Sequence, residues 1–323
     1  MIRVGSDFSG VGAFDYAIKR VHNNVETVFA CDWDKFARQS YIACHGEPKY
    51  YPNDVYEREI PEESLDIYMT SPPCQAFSLA GKRKGKADKR GVLFFNSLEF
   101  IEFNKPRYFI FENVKGLLSD DGGNTFQEWV NYLGGKSVNG APILFPSENS
   151  VPYHLYYKVL NSKKHGVPQN RERIFLVGIR DNIDNDFSFP KEEHLNLRLI
   201  DVLEYQVDEK YFLSDKMINW FVNHEKGAGF KFNVSEGEKV GSAITTKAGN
   251  RPHDNFIKIK SNTIKDFRIR KLTPLECFRL QDFPDSHVQK CVDAGVSNSQ
   301  LYKQAGNSIT VRVLELIISK LKL

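Results

Sequence analysis

The sequence predicts an α/β protein: a doubly wound, mostly parallel sheet joined to a second, smaller and irregular domain. Three observations lead there. Strand-like apolar runs alternate with helix-like segments from residue 1 to about 180. The rhythm stops between about 186 and 270, where the chain is polar and carries only short strand-like pieces, such as 231–234 and 256–260. It resumes at 310–323 as an amphipathic helix with Val313, Leu314, Ile317, Ile318 and Leu321 on one face, suited to packing back on the first domain. The expected boundaries are 1–185 plus 296–323 for the first domain and 186–295 for the second with its hinge.

Strands are expected at 2–5, 25–31, 65–70, 107–111, 155–160 and 173–179. Between the first two, 14–21 reads as a helix. Asp34 can cap a helix running to His45, closed by Gly46 and Pro48. Further helices are expected near 92–103 and 125–133. The stretch 134–152, with Gly134-Gly135, Gly140, Pro146 and Pro152, reads as a surface loop or short hairpin.

The chain has 323 residues, 41% hydrophobic and 26% charged, which is enough for a large core. A net charge of +3 supplies no global basic field, so nucleic-acid binding has to come from local clusters. Met1-Ile2-Arg3-Val4 opens no signal-like segment and no apolar run is long enough to span a bilayer, so a cytoplasmic location is expected. The five cysteines include no C-x-x-C pair, which argues against a disulfide framework or a thiolate zinc site. No metal is expected.

Ser71-Pro72-Pro73-Cys74-Gln75-Ala76-Phe77-Ser78 follows an apolar strand. Two prolines hold the chain extended, so Cys74 is presented on a stiff turn beyond a strand's carboxyl end, where open α/β sheets bind ligands. A thiol there suits nucleophilic attack. Glu112 ends another strand, where a carboxyl half-buried in apolar walls can hold a proton. Gln169-Asn170-Arg171-Glu172-Arg173 opens a further strand with two guanidiniums on one side of the pleat. An internal salt bridge from Glu112 to Arg171 or Arg173 is the plainer reading of those charges. The run Gly81-Lys82-Arg83-Lys84-Gly85-Lys86, then Lys89-Arg90-Gly91, is either a solvated surface stretch or a flap that closes on a polyanion.

Phe8-Ser9-Gly10-Val11-Gly12-Ala13 lies between the first strand and first helix, where glycines allow close approach of a ligand to free N–H groups. A dinucleotide fingerprint would place glycine at Asp15, so a pyrophosphate cofactor is disfavoured. Asp32 ends the second strand, placed to bond ribose hydroxyls, with Trp33 beside it to stack on adenine. Asp54 is expected at a similar strand end. Together these point to an adenosyl ligand.

These residues together resemble the cytosine-C5 DNA methyltransferases of bacterial and phage type, over nearly the whole chain apart from about 186–268. Phe8 to Gly12 resembles the first cofactor motif, Pro72-Pro73-Cys74-Gln75 the nucleophile motif, Glu112-Asn113-Val114 the acid motif, and Gln169 to Arg173 the arginine motif. Arg270-Lys271-Leu272-Thr273-Pro274-Leu275-Glu276-Cys277-Phe278-Arg279-Leu280-Gln281 resembles the segment that organises the recognition domain, and Gln304-Ala305-Gly306-Asn307-Ser308 the last motif, which returns to the cofactor. The sequence departs from the pattern at Ala13, where the family often has glycine, and at Asp32, where it often has glutamate. Asp7 stands one place from the usual aspartate and is left out of the site.

The resemblance implies S-adenosyl-L-methionine as cofactor and double-stranded DNA as partner. A stacked cytosine would be flipped out, Cys74 would attack C6, Glu112 would bond N3 and the exocyclic amine, and Arg173 the O2 edge, with Arg171 bracing the loop or a phosphate. Methyl transfer to C5, loss of the C5 proton and release of Cys74 would finish the reaction. Val55, Pro73, Leu93, Asn307 and Ser308 are implied cofactor contacts. Gln75, Ser78, Lys82, Arg83, Lys84, Arg90, Lys247 and Arg251 are implied DNA contacts, with Asn250 and His253 beside them. The irregular domain is then a target-recognition domain, and the enzyme a monomer associated with the nucleoid. A cognate restriction endonuclease would accompany it in a restriction–modification pair; phage and orphan roles stay open. Rival readings are a tRNA cytosine-C5 methyltransferase, whose usual Cys-Phe-Thr signature is missing here, and an inactive nucleic-acid-binding homologue, although nucleophile, acid and arginines are all retained.

Overall fold

A computed structural model describes residues 1–73, 93–183, 186–228, 231–260 and 267–323. In chain order its elements are β1 (Ile2–Asp7), α1 (Ala13–Val21), β2 (Val25–Cys31), α2 (Lys35–His45), β3 (Ile67–Thr70), α3 (Leu93–Asn104), β4 (Tyr108–Val114), α4 (Asn124–Leu133), β5 (Ser137–Val138), β6 (Ala141–Pro142), β7 (Tyr153–Asn161), β8 (Gln169–Asn170) and β9 (Glu172–Arg180). There follow α5 (Asp215–Ala228), β10 (Val234–Ser235), β11 (Gly241–Ser242), β12 (Phe256–Lys260), β13 (Phe267–Lys271), α6 (Pro274–Arg279), α7 (Asp285–Asp293), α8 (Asn298–Asn307) and α9 (Val311–Ile318).

The main sheet has the order β2-β1-β3-β4-β9-β7-β5-β6. Its first four strands are parallel, and β9 is inserted antiparallel between β4 and β7. Alternation along each strand assigns side chains to two cores. Tyr108 and Ile110 of β4, with Phe175 and Val177 of β9, join a core shared with α1 and α6 to α9. Phe109 and Phe111, with Ile174 and Leu176, join the opposite core with α3 and α4. Because both faces are covered, these strands read as continuous apolar runs. The doubly wound sheet expected from the sequence is the one observed.

Local chemistry sets the helix ends. Asp34 caps α2 through its carboxylate, which accepts from the N–H groups of Phe36 and Ala37 at 2.9 and 3.2 Å. The last helix is shorter than expected: α9 stops at Ile318, and the chain tightens through Lys320 N–H to Ile317 and Leu321 N–H to Ile318. All five apolar residues assigned to its inner face are buried. The stretch after α4 forms the short β5–β6 hairpin. Among the described residues no helix is long and apolar enough to cross a membrane.

The irregular region carries the helix α5, which its polar sequence did not signal. Phe221, Phe256 and Ile269 make a small apolar cluster there with Leu213, Met217, Ile218, Phe232 and Val234. Residues 267–281 then carry a buried ion pair. Arg270 donates to Glu276 at 2.7 and 2.8 Å, with side chains 1% and 0% exposed. Glu276 also accepts from the N–H groups of Thr273 and Glu204, each at 2.8 Å, so it caps α6 and ties a distant loop to it. Glu276→Gln would leave the Arg270 guanidinium buried without a counter-charge. It is expected to cost about 3–5 kcal/mol in equilibrium urea unfolding; a loss below about 1 kcal/mol would show that the pair does not hold this region.

Candidate active site

The carboxyl ends of β1, β3 and β4 lie side by side, because their parallel registers pair Asp7 with Thr70 and Thr70 with Phe111. The chain leaving β3 is held to its neighbour: Asn113 Nδ2 donates to the Pro72 carbonyl at 2.9 Å. Pro72 is buried and Pro73 exposed. Cys74, Gln75, Ser78, Lys82, Arg83, Lys84 and Arg90 lie outside the described residues.

One residue before Asn113, Glu112 is 8% exposed. The antiparallel register sets Val114 opposite Arg173 and Glu112 opposite Phe175, so Arg173 reaches Glu112 diagonally on the same face. Arg173 Nε lies 3.0 Å from Glu112 Oε1, and another of its nitrogens donates to the Glu172 carbonyl at 2.8 Å. Burial pushes the Glu112 carboxyl above its usual range, against the pull of Arg173 and Arg171. The salt bridge allowed for from the sequence is therefore present, with Arg173 as partner, and it leaves a carboxyl with raised proton affinity at the sheet edge.

Arg171 takes other partners. It is buried and donates to three backbone carbonyls: Ile244 at 3.0 Å, Gly306 at 2.9 Å and Ser308 at 2.7 Å. Burial, with Arg173 nearby, lowers its pKa to about 9, so it still carries charge at neutral pH. Gln169 reinforces the clamp, accepting from Ile244 N–H at 2.8 Å and donating to the Leu280 carbonyl. The junction is tight: a Cβ on Gly306 would stand 2.3 Å from the Thr246 nitrogen. Beyond it lies a turn presenting Lys247, Asn250 and Arg251 as exposed residues. Asp254 shapes the turn by accepting from the N–H groups of Asn250 and Arg251 at 3.1 and 3.0 Å. The turn thus stands next to the last motif, although nothing in its local sequence says so. His253, half-buried, is part of the same turn.

The loop after β1 is built for close approach. Phe8, Gly10 and Gly12 all have positive φ, and Gly12 leads into α1. No atom lies within 4 Å of where a Gly10 Cβ would stand, so the backbone there is open to a ligand. Gly12 is required for a different reason, since a Cβ would meet His45 Nε2 at 2.2 Å. That ring nitrogen lies 3.3 Å from the Val11 carbonyl, and Val11 itself is buried. Ser9 N–H bonds the Cys31 carbonyl at 2.9 Å, tying the loop to β2.

Asp32 follows β2. One oxygen accepts from Gly10 N–H at 2.8 Å and the other from Asp34 N–H at 2.9 Å. Burial raises its pKa and those two N–H groups oppose the rise. Lone pairs remain on both oxygens for vicinal hydroxyls. Trp33 beside it is 86% exposed, a free ring face. An open glycine backbone, a fixed carboxylate and an exposed indole fit an adenosyl group. Leu93 opens α3, half-buried; Asn307 is exposed at the end of α8, and Ser308 is buried beside it.

Asp54 does not sit at a sheet strand's end. It lies in a turn between α2 and β3, where its carboxylate accepts from Tyr56 N–H at 2.9 Å. Only the isolated bridge between Phe29 and Tyr50 precedes it, too short to register as a strand in sequence. Val55 packs against the second core. Asp7, set aside on its position, proves to be a packing charge: Arg58 Nε donates to both its oxygens at 2.9 Å and Tyr68 Oη at 2.6 Å.

Known proteins share both the sequence and the fold. A family model for C-5 cytosine-specific DNA methylase matches residues 2–323. The type II methyltransferase M.NlaX of Neisseria lactamica is 34% identical, over 100% of this chain and 96% of its own. M.HhaI of Haemophilus parahaemolyticus, also a type II methyltransferase, is 32% identical over 96% and 91%. The orphan methyltransferase M.SPRI of Bacillus phage SPR is 30% identical over 99% and 97%. The S. pombe Dnmt2 methyltransferase superposes with a TM-score of 0.77 at 21% identity, covering 99% of this chain and 98% of its own, and so shares the fold. With its buried acid–arginine pair at the carboxyl edge of the sheet, this chain belongs to the C-5 cytosine-specific DNA methylase family.

Proposed function

We propose that the protein methylates C5 of cytosine in double-stranded DNA, flipping the base into the crevice and attacking its C6 with Cys74. The observation that carries this reading is the Glu112–Arg173 pair, set beside the pinned Pro72 from which the chain runs two residues to Cys74. S-adenosylmethionine, bound at the loop 8–12 with Asp32, Trp33 and the 307–308 segment, supplies an electrophilic methyl group. Glu112 holds a proton toward N3 and receives the exocyclic amine, offsetting charge that builds on the ring as the Cys74 sulfur bonds to C6. Arg173 keeps Glu112 aimed and offers its outer nitrogens to O2. Once C5 has gained the methyl group, with the demethylated thioether as the other product, the C5 proton leaves to a base and the Cys74–C6 bond breaks to restore the aromatic ring.

Arg171, whose two terminal nitrogens donate to backbone carbonyls, acts as a positioning residue that holds the 244–251 turn and the 306–308 segment to the start of β9. We assign residues 186–295 to target recognition with a hinge, and Lys247 and Arg251 to DNA contacts on that turn. The names of the relatives, type II for two and orphan for the third, support either a restriction–modification pair with a cognate endonuclease or a solitary role. A monomer in the cytoplasm is sufficient for this chemistry.

Transfer of labelled methyl groups to duplex DNA, with tRNA as the competing substrate, tests the reading. Label on DNA cytosine supports it, and label on tRNA alone overturns it. Cys74→Ser is expected to abolish turnover while retaining duplex binding; near-full activity would remove Cys74 from its role. Glu112→Gln should slow methylation by about 10²-fold or more with unfolding unchanged. The two arginines should separate: Arg171→Ala loses about 3 kcal/mol of stability because three buried carbonyls lose their donor, whereas Arg173→Ala loses rate and less stability, because Glu112 left without its partner can take up a proton. Equal stability losses would contradict their division of labour. Asp32→Ala should weaken S-adenosylmethionine binding by at least about 10-fold in calorimetry; unchanged affinity would move the ribose site elsewhere.

A further inference from the structure

Among the described residues, one group of side chains has metal-ligating chemistry, and the methylation reading does not use it. Cys44 at the end of α2 meets His287 and Cys291 on α7, with one donor atom from each all within 4.8 Å of one another. The two sulfurs are 3.8 Å apart, brought together from 247 positions apart in sequence. His287 and Cys291 stand one helical turn apart on the same face. Cys291 and His287 are fully buried, and Cys44 is partly exposed, which leaves an entry side.

Two features suit this group to a metal ion. First, two Zn–S bonds of about 2.3 Å at a tetrahedral angle place their sulfurs about 3.8 Å apart, the separation seen here. Two hydrogen-bonded thiols reach the same separation, so the spacing matches a metal edge without requiring one, and Cys44 Sγ also faces the His287 carbonyl at 3.7 Å. Second, the imidazole is orientated and incompletely satisfied. His287 Nδ1 lies 3.2 Å from the Tyr16 hydroxyl, while Nε2 is buried with no hydrogen-bond partner. An outer hydrogen bond that fixes ring orientation is the usual companion of a metal-bound histidine. Phe278 and Phe283 wall the ring at 4.8 and 4.7 Å between centroids and hold it in place.

We propose that Cys44, His287 and Cys291 bind one borderline-soft divalent cation of the zinc type, with water completing a tetrahedron. Binding displaces the thiol protons to solvent and involves no change of oxidation state. The site would clamp the end of α2 to α7. Because the next residue, His45, lies under Gly12, the clamp would also steady the cofactor loop.

The test uses the full chain, reduced and stripped of metal, titrated with Co²⁺ alone and then with Zn²⁺. One equivalent of Co²⁺ should produce a thiolate-to-cobalt charge-transfer band and the intense visible bands of tetrahedral cobalt. Zn²⁺ should abolish them and raise Tm by several degrees. Cys44→Ser and Cys291→Ser should lose the charge-transfer intensity, whereas Cys74→Ser should keep it. Should Cys291→Ser fail to fold, Cys44→Ser and His287→Gln decide the matter. Absence of the band from folded wild-type protein overturns the proposal. So does a band that survives Cys44→Ser, or one lost with Cys74→Ser. A Cys44–Cys291 disulfide in the isolated protein, with no cobalt uptake after reduction, likewise overturns it.

Discussion

Because β9 runs antiparallel to β4, the residues entering it stand at the carboxyl edge where β3 and β4 leave the sheet. A parallel strand in that place would present its first residues at the far edge, some 20 Å away for a strand of ordinary length. The reversal lets Arg173 lie 3.0 Å from Glu112. It also lets Arg171, two residues earlier, gather Ile244, Gly306 and Ser308 onto the same edge. One change of strand direction therefore supplies both the charged pair of the crevice and the clamp that brings the 244–251 turn and the 306–308 segment to it.

Burial and pairing act on Glu112 in opposite senses. Loss of solvent disfavours the carboxylate, whereas the two guanidiniums favour it, and burial prevails. An acid in that balance can hold a proton against a ring nitrogen without giving up its orientation. The neighbouring Asn113 serves geometry: its amide fixes the Pro72 carbonyl, so the proline turn departs from a defined point. The loop after β1 follows the same logic, with Asp32 bonding the loop backbone through Gly10 and its own helix start through Asp34.

Much of this was legible because it rests on local chemistry. Apolar runs gave the strands of a sheet covered on both faces, Asp34 gave the start of α2, and Glu112 and Arg173 were placed by strand ends alone. What escaped depends on residues distant in sequence. The Arg171 partners lie 73, 135 and 137 positions away, so the bracing role that the resemblance implied for Arg171 came without the carbonyls it holds. Asp54 was misplaced because a one-residue bridge at Tyr50 has no periodicity to detect. The helix α5 was hidden by the polar residues around Phe221, the buried anchor among its described side chains. The cysteines offered no paired spacing, yet folding of α7 onto α2 joins Cys44, His287 and Cys291.

The central claim is that a thiol on the proline turn bonds to an everted cytosine held by Glu112 and Arg173. Incubation with S-adenosylmethionine and a duplex carrying 5-fluorocytosine at the target tests it directly, since the C5 fluorine cannot leave as a proton does and the adduct persists. A stable protein–DNA complex whose crosslinked peptide maps to Cys74 is expected. A crosslink at another cysteine, or efficient methylation of ordinary cytosine with no trapped complex, would contradict it.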